Sequence, residues 1–116
     1  MEKRSASWGL KVSLPAFVTM ANAVRKLSIE KRRFCTVNDV VCEYLSRPHS
    51  DLSVDADMVD ELRGSAGNLK VFVRFRGSAV DEVEDLRDRL SAKTGLACSM
   101  REVTCFCCLI ILLRKD

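Results

Sequence analysis

The sequence predicts an α+β, mainly α, domain in which two strand-helix-helix units of one chain pair through an antiparallel two-stranded ribbon. Three observations carry this reading. Two short segments alternate apolar and polar residues, each is followed by two helical stripes, and one shift of the chain, which lays Leu10 on Val73 and Val12 on Phe75, superimposes the residue classes of the two units without a gap. With 116 residues, 47% apolar and 30% charged, the chain is long enough to bury a core without metal or disulfide staples. Residues 1–116 are therefore read as a single domain, with a first repeat at 9–46, a linker at 47–68 and a second repeat at 69–116.

The first alternating segment is Leu10-Lys11-Val12-Ser13-Leu14 and the second is Val71-Phe72-Val73-Arg74-Phe75-Arg76. Period-two alternation gives a strand with one apolar and one polar face. A helical stripe follows each strand: Phe17, Met20, Ala23, Val24 and Leu27 in the first unit, Val80, Val83, Leu86 and Leu90 in the second. Pro15 suits the first turn of one helix, and Asp81, Glu82, Glu84 and Asp85 crowd the start of the other, where the helix dipole favours carboxylates. The second helix of each unit opens on the same signal. Thr36-x-x-Asp39 resembles a capping box and Ser99-x-x-Glu102 matches one in full. The stripes behind these caps are Val37, Val40, Val41, Tyr44, Leu45 and Met100, Val103, Thr104, Cys107, Cys108, at identical spacings.

Between the units, Pro48, Gly64 and Gly67 punctuate a linker in which Met58, Val59 and Leu62 support one short helix. At about 3.3 Å per extended residue this segment spans a small domain and returns the chain to start a new strand. Its length fits a tether that replaces a subunit boundary.

Several classes are excluded. Lys3 and Arg4 are not followed by the apolar run of a secretory signal, so a cytoplasmic protein is expected. The nine apolar residues from Cys105 to Leu113 fall short of the about 20 that a membrane span needs, so no membrane is expected and a buried helix is. Of six cysteines, Cys105 and Cys108 form a C-x-x-C, but no second pair stands at a ligand-like spacing. Free, reduced, packed thiols are expected and no metal. The single histidine, His49, lies in a Pro-His-Ser turn, there is no glycine-rich phosphate loop, and no nucleophile and base can be paired. Neither an enzyme nor a cofactor is expected.

A net charge of +3 alone does not argue for nucleic acid, but its distribution is informative. Residues 1–47 carry nine Lys/Arg against four Asp/Glu, residues 48–69 one against five, and residues 70–116 nine against seven. An acidic linker thus separates two basic-leaning halves. A lone strand cannot satisfy its backbone groups, so the two strands must pair over the four helices. Leu10, Val12 and Leu14 then point inward with Val71, Val73 and Phe75. Lys11, Ser13, Lys70, Phe72, Arg74 and Arg76 form the open face, with Lys11 and Ser13 facing Arg74 and Arg76. Such a ribbon has the width to enter the major groove of double-stranded DNA, where Arg and Lys reach guanine edges and Ser bonds to several bases. Phe72 either touches a thymine methyl or packs against Trp8. A second contact is expected at the helix N-termini, where the backbone N–H groups of Thr36, Val37 and Asn38 and of Ser99, Met100 and Arg101 are placed to grip phosphate. The bland alternative is a solvated sheet face over ordinary helix caps.

From Gly9 to Leu113 these residues resemble the ribbon-helix-helix family of DNA-binding proteins, with Thr36-Val37-Asn38-Asp39 similar to the family's second-helix start and Ser99-Met100-Arg101-Glu102 more divergent. Family members usually dimerise from identical chains, whereas this chain resembles the tandem members among accessory proteins of conjugative DNA transfer. That resemblance implies a monomeric pseudo-dimer on double-stranded DNA, a role in conjugation-like DNA (T-DNA) processing alongside a ParA-like ATPase and a relaxase, and a further N-terminal region ahead of Met1. A fused pair is also free to read an asymmetric site, with the second strand contributing the stronger contacts. Two other functions remain open at this stage: a plasmid-encoded repressor or antitoxin using the same ribbon, and a protein-interaction module using the apolar helix from Cys105 to Leu113.

Overall fold

The computed structural model describes residues 5–47 and 53–114; Lys3, Arg4, Pro48 and His49 lie outside them. The elements run β1 (Ser5–Val12), α1 (Leu14–Lys31), α2 (Val37–Leu45), α3 (Ala56–Arg63), β2 (Leu69–Arg76), α4 (Ser78–Thr94) and α5 (Met100–Leu113). The two strands pair antiparallel into one two-stranded sheet. Alternation decides its faces. Leu10, Val12, Val73 and Phe75 are buried, Ala6, Trp8 and Val71 pack against the same core, and the residues between them are exposed. The Trp8 and Phe75 rings meet on this inner face with centroids 5.9 Å apart.

The pairing register is Ser5 with Arg76, Ser7 with Arg74, Gly9 with Phe72 and Lys11 with Lys70 on the outer face. Only Gly9 and Phe72 are both paired across the ladder and equivalent by the repeat, so the local two-fold of the ribbon passes between them. The expectation that Lys11 faces Arg74 is therefore corrected. In an antiparallel ladder, residues equivalent by the repeat lie on opposite sides of the two-fold, and Lys11 meets Lys70 while Arg74 meets Ser7.

Local geometry recurs at the offset of the sequence repeat. The first helix of each unit ends in the left-handed region, at Arg32 (φ 55°) and Gly95 (φ 74°), whose N–H groups donate to Ser28 O and Ser91 O. Those serines also hold the next turn: Ser28 Oγ accepts from Cys35 N at 2.9 Å and Ser91 Oγ from Cys98 N at 3.1 Å. Thr36 and Ser99 then cap α2 and α5 in capping boxes with Asp39 and Glu102.

Four expectations at the start of the chain are corrected. The first strand begins at Ser5, ahead of Gly9, because Ala6 and Trp8 continue the inward alternation. It ends at Val12, since Ser13 accepts from Ala16 N at 3.2 Å as the N-cap of α1, and Pro15 in the first turn makes helix the favoured path from there. Leu14, expected in the core, opens the helix and is 65% exposed. Phe17, expected in the apolar stripe, is also exposed, and Ala16 is buried in its stead. The buried line of α1 is Ala16, Met20, Ala23 and Leu27, one residue round from Phe17, which lines a shallow opening with Val24, Val37 and Val71. Helix α3, capped by Asp55, buries Met58 and Leu62 and flanks Pro15 and Ala16.

Helix α5 runs through the middle of the molecule, packed on α1, α2, α3, α4 and β1. Of its apolar residues only Leu113 is exposed, and the Phe106 ring meets Tyr44 edge-on at 5.6 Å. Its last turn is held by Lys26, whose Nζ donates to Ile111 O at 2.8 Å and to Arg114 O. All six cysteines are free thiols; Cys42 is exposed and the other five are buried. Among the described residues no helix is long and apolar enough to cross a membrane.

Candidate nucleic-acid interface

The outer face of the ribbon presents Ser5, Ser7, Gly9 and Lys11 from β1 and Lys70, Phe72, Arg74 and Arg76 from β2, all exposed. This face has four cations and no carboxylate. Ser13, expected here, is absent because it caps α1. Ser5, Ser7 and Gly9 take the outward places that the sequence reading missed, although the alternation of Ala6, Trp8, Leu10 and Val12 between them carried the signal. Phe72 is 73% exposed. Trp8 lies on the opposite face, so packing against it is ruled out. The Phe72 ring lies over Gly9 instead, where an added Cβ would stand 3.2 Å from the ring.

The second predicted feature, the paired helix N-termini, is built unequally. At α2, Asp39 Oδ2 accepts from Thr36 N at 2.8 Å, and Asp39 N donates to Thr36 Oγ1 at 3.2 Å. The bond from the Thr36 backbone is the main reason the Asp39 carboxyl sits below its usual range; burial opposes it, and the Thr36 hydroxyl and Arg33 add to the lowering. Asn38 turns away from the helix and clasps the outer edge of β2. Its Oδ1 accepts from Arg74 N at 3.0 Å and its Nδ2 donates to Arg74 O. This side-chain amide satisfies two backbone groups that an edge strand would otherwise leave open. It also ties the α2 start to Arg74, and Ser7, Thr36, Val37, Asn38, Phe72, Val73 and Arg74 line one open groove.

At α5 the corresponding corner is covered by the linker. Ala66 bridges to Val12, Gly67 N donates to Lys11 O at 3.3 Å, and Ser13 N donates to Ser65 O at 2.8 Å. Gly67 is required there because an added Cβ would lie 2.5 Å from Ser13 Cα and Val12 O. Ser65 is fully buried, and its hydroxyl, donating to Leu62 O at 2.6 Å, lies 3.3 Å from Glu102 Oε2. Burial pushes the Glu102 carboxyl up, yet hydrogen bonds from Ser99 and the adjacent Arg101 outweigh it and hold the group below its usual range. Arg101 Nε donates to that carboxylate at 2.9 Å and Met100 is buried. Of the six residues expected at phosphate, Thr36, Val37 and Asn38 thus stand beside the ribbon's open groove; of the three at α5, Met100 faces the core, Arg101 is engaged with Glu102 and only Ser99 is exposed.

No group of three His, Cys, Asp or Glu side chains able to hold a metal ion occurs among the described residues. Buried thiols are correspondingly poor nucleophiles: burial pushes Cys105 up to about 11 and raises Cys107 and Cys108 further. Comparison with protein-family models, curated proteins and solved structures finds no match for this chain.

Proposed function

We propose that the chain is a tandem ribbon-helix-helix domain, a pseudo-dimer within one polypeptide, that inserts its ribbon into the major groove of double-stranded DNA. The observation that carries this reading is the outer face of the ribbon, where Lys11, Lys70, Arg74 and Arg76 project without a compensating carboxylate. Guanidinium and ammonium groups on a two-stranded ribbon suit guanine edges and flanking phosphates. The helix ends and capping boxes that recur from the first unit to the second support the pseudo-dimer. The unequal sides of the two-fold, with Ser7 and Arg74 on one and Lys11 and Lys70 on the other, fit a directional rather than palindromic site.

Its biological setting is proposed from resemblance alone. The chain resembles the C-terminal domain of the second virC-operon protein of Agrobacterium tumour-inducing plasmids, which makes it an accessory factor for T-DNA processing in the bacterial cytoplasm, beside a ParA-like ATPase and a relaxase. A repressor or antitoxin would use the same ribbon, and selection from randomised duplexes separates the two through the preferred site. An interaction module using α5 would have only the end of that helix to offer, where Leu113 is exposed and Leu109, Ile110 and Leu112 are half-buried.

The test is fluorescence anisotropy on a 30-base-pair mixed-sequence duplex over a range of salt. Binding is expected to weaken with salt, and the Lys11→Ala, Arg74→Ala, Arg76→Ala triple variant to lose about 0.9 of log–log slope per phosphate contact removed. Equal binding of triple variant and parent at every salt concentration sinks the ribbon assignment.

A further inference from the structure

The largest exposed anomaly lies beside the ribbon. Phe34 is 99% exposed, Ile29 on the preceding turn is 62% exposed, and Arg32 and Arg33 stand between them. Burying a phenylalanine stabilises a fold by about 2–3 kcal/mol, so a ring wholly in water contributes nothing to this one. Arg32 is anomalous in a second way. It is the only described non-glycine residue at positive φ, a conformation in which a β-carbon is strained. Its equivalent in the second unit is Gly95, the residue that this geometry favours. A guanidinium is therefore kept where glycine would fold more easily.

The tip sits next to the proposed interface. Phe34 is two residues before Thr36, which lines the groove shared with Phe72 and Arg74, and Arg33 reaches Asp39 of α2 at 3.5 Å. That pair is largely in solvent, so it restrains the arginine weakly. The equivalent tip of the second unit is Gly95-Leu96-Ala97, with neither ring nor charge.

We propose that the Arg32-Arg33-Phe34 tip is a second contact with duplex DNA, made on the α2 flank alone. It places the two arginines on backbone phosphates and the Phe34 ring against the minor-groove edge beyond the ribbon's major groove. Two cations flanking an exposed ring is the chemistry that proteins use on this part of a duplex, where arginine follows the phosphates and minor groove and an apolar side chain packs on sugars or between base steps. The covered α5 corner and the plain second tip leave the other flank without it. The proposal rests on the ribbon reading, which orients the duplex.

Anisotropy on the same 30-base-pair duplex tests it with Phe34→Ala and with Arg32→Asn, Arg33→Gln, since asparagine tolerates the left-handed position. Phe34→Ala is expected to weaken binding about 10-fold or more as the ring's burial is lost, and the double variant to lower the salt slope by about 1 per phosphate contact removed, with unchanged thermal unfolding for Phe34→Ala. A Trp8→Phe, Phe34→Trp reporter is expected to show quenched tryptophan emission when duplex is added. If the ribbon triple variant loses binding while both tip variants bind like the parent and the reporter is silent, the tip proposal is overturned and the ribbon reading stands. If the tip variants lose binding and the ribbon triple variant does not, the tip is a DNA contact and the ribbon reading falls. Parent-like DNA binding by Phe34→Ala with a changed concentration dependence of elution assigns the tip to contact between copies and also overturns the proposal.

Discussion

At one edge of the ribbon the backbone of Arg74 is held by the side chain of Asn38, and at the other the carbonyl of Lys11, its equivalent in the first unit, accepts from the amide of Gly67. The same backbone need is met by a side chain in one unit and by the linker in the other. The difference extends down the second helices. Position 43 in α2 is a glutamate paired with Lys31, Arg47 and Arg114 at 3.1–3.2 Å, while its equivalent in α5 is the buried Phe106. One helix forms the molecule's side and the other its centre. The two strand-helix-helix segments thus differ in what closes each strand edge and in how deeply each second helix is buried.

Breaking this comparison at its deepest point should have the largest effect. Phe106→Ala is expected to cost about 3–5 kcal/mol, read by chemical denaturation, whereas Glu43→Ala, which removes ion pairs to the exposed Lys31 and Arg47 and to the more buried Arg114, should cost less, about 1–2 kcal/mol. Equal costs would mean that α5 is not the central helix. Gly67→Ala comes next, at about 1–3 kcal/mol, because the new β-carbon meets the Val12–Ser13 backbone. A melting temperature unchanged by this substitution would show that the linker does not close the β1 edge.

Thiol chemistry sharpens the contrast without altering stability. Cys42 and Cys105 are equivalent positions, one exposed and the other fully buried with its thiol pushed up to about 11. Maleimide should label Cys42 in the native protein and reach Cys105 only after unfolding, which peptide mass mapping resolves. Burial and the nearby Asp39 and Glu82 raise the Cys42 thiol too, so its labelling should quicken as pH rises.

The smallest effect concerns the two capping carboxylates. Both Asp39 and Glu102 sit below their usual values in the folded chain. Their stabilisation is therefore complete above the unfolded value, about 4.3 for a glutamate, and is lost as pH falls through the lower folded value. Denaturation from pH 7 to pH 3 should show a shallower loss for Glu102→Gln than for the parent, with Asp39→Asn changing the profile less because Asp39 is more exposed. Profiles that coincide for all three proteins would remove the carboxylates from the acid response.

Much of the architecture was legible locally. Alternation placed Leu10, Val12, Val71, Val73 and Phe75 inward, and the caps at Thr36 and Ser99 marked α2 and α5, because these signals act over three or four residues. Ser13 and Leu14 were misread because an alternating polar and apolar pair fits either the end of a strand or the start of a helix, and Pro15 decided for the helix. Phe17 was misread because helical spacing leaves open which line of α1 meets the core; the buried line runs through Ala16, Met20, Ala23 and Leu27, and Phe17 lies beside it.

By itself, then, the sequence determined the order of elements, the apolar face of the ribbon and the offset between the two units, since residue type and period dictate them through local sterics and burial. Tertiary structure alone decided the strand register, the placing of the two-fold at Gly9 and Phe72, the Asn38 clasp on Arg74 and the covering of the α5 start by Ser65 and Gly67. These depend on where distant segments meet, and no local pattern encodes that meeting. The two helix starts carry the same capping signal in sequence and differ in accessibility because the linker packs against only one of them.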